Sequence, residues 1–308
     1  MGKRLTLSVS PHIHSGRSTS RIMLDVLIAL LPAAIAGCFI FGARAAAVLA
    51  VCVASCVIFE ALYNLLVKRS QTVGDLSAAV TGLLLGMNLP ANIPFWQCIV
   101  GSFFAVIVVK ALFGGLGCNP VNPAITARVF MLVAFGAMAM PAYPVVVDAV
   151  SGATPLSSEA TTPLMTLFLG LHGGAIGEVC AAALLAGGVY LIVRRVITWH
   201  IPVAFMGSVF LMSFFMEGMD PVLGLTAVLS GGVVIGAVFM ATDYVTSPST
   251  AWGKIIFGIG AGLITVLIRD FGTYPEGVSF AILFMNIITP YISSWTRYRV
   301  FGRGGKSA

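Results

Sequence analysis

Ile22-Met23-Leu24-Asp25-Val26-Leu27-Ile28-Ala29-Leu30-Leu31-Pro32-Ala33-Ala34-Ile35-Ala36-Gly37-Cys38-Phe39-Ile40-Phe41 decides the fold class. A helix rising about 1.5 Å per residue needs roughly 20 apolar residues to cross a hydrocarbon core about 30 Å thick, and this run supplies them. Gly42-Ala43-Arg44 and a second apolar run follow directly. The run is also too long for the core of a cleaved leader, so it reads as a first transmembrane helix.

The rest of the chain has the same character. Of 308 residues, 58% are hydrophobic and 9% charged, and the mean hydropathy is +1.01. That composition excludes an ordinary soluble domain. Further runs at about 44–66, 76–90, 95–112, 122–140, 174–193, 198–216, 222–241, 253–268 and 277–295 predict an all-α polytopic membrane protein with about ten transmembrane helices. The whole of 1–308 reads as a single integral membrane domain.

The basic residues set the expected orientation. With ten spans and the amino terminus inside, Lys3, Arg4, Arg17, Arg21, Lys68, Arg69, Arg194, Arg195, Arg297, Arg299, Arg303 and Lys306 face the cytoplasm, twelve of the seventeen Lys and Arg. Only Arg44 and Arg269 fall outside, while Lys110, Arg128 and Lys254 sit at or within span ends. The positive-inside rule therefore predicts that both termini are cytoplasmic. The net charge of +6 reads as topology, and short basic clusters beside apolar helices argue against nucleic-acid binding.

An internal echo predicts two repeats. Asp75-Leu76-Ser77-Ala78-Ala79-Val80-Thr81-Gly82-Leu83-Leu84-Leu85-Gly86 resembles Leu225-Thr226-Ala227-Val228-Leu229-Ser230-Gly231-Gly232-Val233-Val234-Ile235-Gly236. Asn119-Pro120-Val121-Asn122-Pro123-Ala124 likewise lies against Asp243-Tyr244-Val245-Thr246-Ser247-Pro248. Polar, proline-broken backbone at membrane depth is tolerated only where protein covers it or a cavity borders it, and paired breaks point to a site between repeats. The expected parse is two inverted five-helix repeats, about 22–140 and 174–295, joined by an outer loop at 141–173 and closed by a basic cytoplasmic tail at 296–308.

The outer loop holds Asp148 and the turn Ser151-Gly152-Ala153-Thr154, followed by Pro155. Gly152 and Ala153 remove bulk around the Thr154 hydroxyl, which leaves it reachable by another protein's active site. On local chemistry alone a helix start, with Ser151 or Thr154 as the N-cap, is the favoured reading.

Several motifs together resemble one membrane family. They are Ser10-Pro11-His12, Ile28-Ala29-Leu30-Leu31-Pro32-Ala33, Leu89-Pro90, Lys110-Ala111-Leu112-Phe113-Gly114-Gly115-Leu116-Gly117-Cys118-Asn119-Pro120-Val121-Asn122-Pro123-Ala124, the stretch from Asp148 to Leu156, Ala241-Thr242-Asp243-Tyr244-Val245-Thr246-Ser247-Pro248, and Tyr274-Pro275-Glu276-Gly277-Val278-Ser279-Phe280-Ala281-Ile282-Leu283-Phe284-Met285-Asn286. The chain is similar over its whole length to the D subunit of the Rnf complex, a paralogue of the B subunit of the sodium-pumping NADH:quinone reductase. Only about twenty residues precede the first helix, which favours the Rnf type over the B subunit with its longer amino-terminal extension.

The resemblance implies FMN on Thr154 through a phosphoester, installed by a separate flavin transferase, with Asp148, Ser151, Gly152 and Ala153 completing the attachment motif. It also implies a second, non-covalent flavin such as riboflavin or FMN near Asn119 and Asn122. For those two residues, flavin contact and helix capping stand side by side; for Asp243 and Thr246 a structural role is favoured over flavin binding. The implied activity is electron transfer across a bacterial cytoplasmic (inner) membrane, in a complex that exchanges electrons between ferredoxin and NAD while moving Na⁺ or H⁺. The implied partners are the A, B, C, E and G subunits of the Rnf complex, besides the surrounding lipid. No complete catalytic site or metal site is expected on this chain. A small-solute channel is the alternative from a different class.

Among the remaining polar groups, Asp25, Glu60, Lys110 and Glu178 lie near span ends, where anchoring or pairing is expected rather than an ion site. Cys38, Cys52, Cys56, Cys98 and Cys180 read as small hydrophobes. Cys118 alone has a polar setting, and a single thiolate cannot hold an iron–sulfur cluster. The four histidines are scattered at span boundaries and suggest no haem or metal site.

Overall fold

The computed structural model describes residues 18–135, 163–170, 172–272 and 277–297. Within them the chain forms helices α1 (Thr19–Phe41), α2 (Ala43–Leu66), α3 (Ser77–Met87), α4 (Phe95–Ala111), α5 (Pro123–Ala134), α6 (Leu164–Leu169), α7 (Ala181–Val193), α8 (His200–Met216), α9 (Pro221–Leu229), α10 (Val233–Met240), α11 (Ala251–Phe271) and α12 (Val278–Trp295). Four of these, α1, α2, α11 and α12, are long and apolar enough to cross a bilayer. Helices α9 and α10 make a fifth candidate, a single span bent by 67°. The protein is all-α over the described residues and membrane-embedded.

Local chemistry sets the helix ends. Ser18 caps α1, Asn122 caps α5 with Pro123 in the first turn, Asp220 caps α9 with Pro221 behind it, and Thr250 caps α11. Each supplies a side-chain oxygen to amides that the helix leaves unpaired. Gly42, at φ 77°, joins α1 to α2 in one residue, a conformation that costs side-chain-bearing residues.

The packing repeats along the chain. Helices α2 and α4 run parallel: Ser102 Oγ faces the Cys52 carbonyl at 3.4 Å and Lys110 meets Glu60 two turns further on. Helices α8 and α11 are also parallel, held closely because Gly258 and Gly262 lie against Ile201, Ala204, Phe205 and Ser208. A methyl at Gly258 would sit 2.8 Å from the Ala204 Cβ, and one at Gly262 would strike Ser208 Oγ. Small residues four apart are how membrane helices approach without a hydrophobic driving force between them. Helices α1 and α7 are antiparallel, since Asp25 near the start of α1 meets Tyr190 at 3.0 Å and Arg194 at 3.2 Å at the end of α7. Helices α5 and α12 also pack together.

The two breaks have matching supports. After α3 the chain leaves the helix at Asn88, and Arg44 on α2 donates to the freed carbonyls of Ala91 and Asn92, both at 3.0 Å. At the bend between α9 and α10, Arg269 on α11 donates to the carbonyls of Ala227 at 2.6 Å and Ser230 at 3.0 Å. Backbone carbonyls in an apolar environment need such partners. Arg44 and Arg269 are the two arginines expected on the outer side, and each supports a helix break.

Candidate functional site

The two broken segments meet. The Asn122 side chain accepts from the Ala124 and Ile125 amides at 3.0 and 3.4 Å, which caps α5, and its Nδ2 donates to the Met240 carbonyl at 3.2 Å, which ties α5 to the end of α10. Asn286 on α12 joins the same point: with its nitrogen toward the Thr246 carbonyl (3.3 Å) its oxygen accepts from the Asn122 amide (3.2 Å). Thr289 donates to the Thr246 carbonyl at 2.9 Å, and Thr246 Oγ1 lies 3.2 Å from Asp243 Oδ2. Asn119 also hydrogen-bonds the Asp243 side chain.

Asn119, Asn122, Asp243 and Thr246 are thus brought to one place from two distant stretches of chain. Asn122 caps α5, and Thr246 is buried and hydrogen-bonded within the protein. Asp243, by contrast, borders a cavity together with Asn119 and Asn122.

That cavity has a volume of about 290 Å³. It lies between the start of α1, the start of α3, the broken segments and the end of α7. Ile22, Met23, Val26, Val80, Leu84 and Phe239 give it apolar walls, and Ser77, Thr81, Lys110, Thr242 and Asp243 give it polar points. Thr81 and Thr242 hydroxyls donate to their own helices, to the carbonyls of Ser77 at 2.9 Å and Val238 at 2.6 Å. Their lone pairs stay available as acceptors. This slot is mostly apolar, with hydroxyl and carboxylate acceptors and one lysine in its lining, a chemistry that could hold a heteroaromatic ligand. Its size is at the lower end of the roughly 300–1,000 Å³ of small-molecule sites.

The described residues hold two buried ion pairs, one of which includes Lys110 in the slot lining. Lys110 on α4 lies 3.1 Å from both carboxylate oxygens of Glu60 on α2 and 2.6 Å from Ser77 Oγ. Arg128 on α5 donates to Glu178 Oε1 and to Asn88 Oδ1, both at 2.6 Å, beside Gly232 at the bend before α10. The expected pairing is present, and Glu60, Lys110 and Glu178 are each less than 10% exposed within the protein. Arg128, Asn88 and Asn286 have no role assigned from sequence, and only Asn286, at the end of a recognisable motif, had a signal that pointed to it.

Asp148, Ser151, Gly152, Ala153 and Thr154 lie outside the described residues. Cys52, Cys56 and Cys98 are buried, whereas Cys118 is exposed on the loop after α4.

These features define a multi-pass helical membrane protein with a polar-edged slot built where two interrupted segments converge. The chain belongs to the NQR2, RnfD, RnfE family, whose model matches residues 6–302. It is 47% identical to the D subunit of the Na⁺-translocating ferredoxin:NAD⁺ oxidoreductase complex of Acetobacterium woodii, over 97% of this chain and 95% of that one. It is 40% identical to the D subunit of the proton-translocating ferredoxin:NAD⁺ oxidoreductase complex of Clostridium ljungdahlii, over 96% of each. It is 36% identical to the D subunit of the ion-translocating oxidoreductase complex of Escherichia coli K12, over 96% of this chain and 98% of that one.

Proposed function

We propose that this chain is the D-type membrane subunit of an Rnf complex and carries electrons through the bilayer in redox-driven Na⁺ or H⁺ translocation between ferredoxin and NAD. Relatives matched end to end, at 47% and 40% identity, support this reading. The observation that carries the electron-carrier role is the slot at the convergence of Asn119, Asn122 and Asp243.

Two flavins fit the chain. FMN is held covalently by Thr154 through a phosphoester made by a flavin transferase, in the turn led by Asp148. A tether of this kind raises the effective concentration of the cofactor without a tight pocket. A second, non-covalent flavin such as riboflavin occupies the slot. When bound, a flavin supplies one-electron and two-electron chemistry. The chain's own part there is to sandwich a planar ring between apolar side chains, meet its polar edge with Asn119, Thr81, Thr242 and Asp243, and exclude bulk water.

The fold is ten crossings in two inverted five-helix repeats, α1–α5 against α7–α12, with α9 and α10 as one broken helix. The reading is supported by parallel pairs α2/α4 and α8/α11, by antiparallel α1/α7, and by one arginine-supported break in each half. Both termini are then cytoplasmic and Thr154 is on the outer face of a bacterial inner membrane, with the A, B, C, E and G subunits of the Rnf complex as partners. The slot opens on the cytoplasmic side.

Purified complex from a host that holds the transferase tests both flavins. The denatured chain fluoresces on a gel and Thr154→Ala does not, while a further flavin is released by denaturation. A colourless wild-type chain with nothing released contradicts the reading and favours a solute channel.

A further inference from the structure

A second cavity of about 320 Å³ shares a wall with the slot, and Lys110 and Leu116 are common to both linings, Lys110 being the polar one. This vestibule is bordered by Glu60, Tyr63, Asn64, Asp75, Gly114 and Lys110, and it reaches the surface at exposed Arg69, Ser70 and Thr72. A hydrogen-bonded chain crosses the wall. Asn64 Nδ2 donates to Thr72 Oγ1 at 2.9 Å, and Thr72 Oγ1 donates to Glu60 Oε1 at 2.7 Å. Lys110 Nζ donates to Glu60 at 3.1 Å and to Ser77 Oγ at 2.6 Å. Ser77 borders the slot, and its hydroxyl donates to Asp75, which borders the vestibule.

A buried ion pair that served only to tie α2 to α4 would be matched or bettered by apolar packing. This one borders the surface-open vestibule on one side and the slot on the other. We propose that Glu60, Lys110 and Ser77 form a proton relay from the vestibule to the slot. It rests on the slot's holding a redox group, because a flavin reduced there, with the reduced flavin on Thr154 as electron donor, must also take up protons.

The step balances in protons. The Ser77 hydroxyl turns from Asp75 to the slot and its O–H bond breaks toward the acceptor, while a new O–H forms with a proton from the Lys110 ammonium, whose N–H bond breaks. The neutral Lys110 amine then takes a proton passed by Glu60 from a hydronium ion in the vestibule. Glu60 ends as carboxylate, Lys110 as ammonium and Ser77 as alcohol.

Arginine separates a relay from a structural charge. Lys110→Arg keeps a cation beside Glu60 but holds its protons, since the guanidinium does not deprotonate in proteins. In the purified complex, rapid-mixing reduction of the non-covalent flavin, measured per flavin bound, is expected to slow at least tenfold in Lys110→Arg and in Ser77→Ala, with a larger slowing in D₂O than in the wild type. Wild-type rates in either variant overturn the relay while leaving the flavin assignment intact; a wild-type complex with no non-covalent flavin overturns both. A readout without cofactor runs beside it: in flavin-free protein carrying Cys118→Ser, Lys110→Cys is expected to react with a small membrane-impermeant methanethiosulfonate. An unreactive thiol there means vestibule water does not reach the wall, and the relay fails.

Discussion

Asn122 Nδ2 donates to the Met240 carbonyl at 3.2 Å, one hydrogen bond that joins the interrupted segment of the first half of the chain to that of the second. The same side chain caps α5, so its amide does two jobs with two ends. Asn122→Ala is expected to lose a cap worth about 0.5–2 kcal/mol and to lower thermal stability in detergent. Asn122→Asp keeps the capping oxygen and loses the donor. Calorimetry on the two should therefore rank wild type above Asp and Asp above Ala; equal melting of Asp and Ala would mean that the cap contributes nothing.

The Arg128–Glu178 pair should behave as a buried charge pair whose single members cannot be removed alone. Removing one partner of such a pair costs about 3–5 kcal/mol, because the other is stranded. Arg128→Met and Glu178→Gln are each expected to abolish or sharply lower the yield of folded protein, with the double variant recovering part of the loss. A double-mutant cycle by chemical denaturation checks this, and strict additivity would count against coupling.

Arg44 and Arg269 are expected to matter for fold and not for insertion orientation. Arg269→Met leaves the carbonyls of Ala227 and Ser230 without their guanidinium donor, at about 1–3 kcal/mol for each group left unpaired in the interior. Proteolysis of the α9–α10 bend in detergent should rise, while reporter fusions at the termini keep the same sidedness. Unchanged proteolysis would remove the helix-break explanation.

Gly262 faces Ser208 and the Phe205 carbonyl across the α8–α11 contact. Gly262→Ala is expected to cost about 1–3 kcal/mol by overpacking, and Gly262→Leu to prevent folding. Ser208→Gly removes the Ser208 Oγ and Cβ contacts but leaves the Phe205 carbonyl, so it should rescue Gly262→Ala in part. Melting temperatures in one detergent decide it; full tolerance of Gly262→Leu would show that the helices separate freely.

How much was legible in the sequence follows from the scale of each signal. Apolar runs the length of a bilayer are unambiguous, so the helical membrane class and the approximate places of the helices could be read directly. The proline-broken polar stretches marked Asn119, Asn122, Asp243 and Thr246 because such backbone has few permitted settings in a membrane. Pairing was expected for Glu60, Lys110 and Glu178, but not with which partners, since each pair joins residues fifty apart in the chain. Arg128 and Asn88 were invisible for a related reason: their meaning lies in contacts forty residues apart, 2.6 Å in space, which no local pattern records.

The central claim is that this chain is a two-flavin electron carrier, and the most direct measurement is flavin accounting on the purified wild-type complex by intact mass and denaturing release. The account predicts a chain heavier than its sequence by one FMN phosphoester at Thr154, plus one flavin freed on denaturation and lost in Asn119→Leu. A chain at the mass of its bare sequence, made in the presence of the transferase and releasing no flavin, would contradict it.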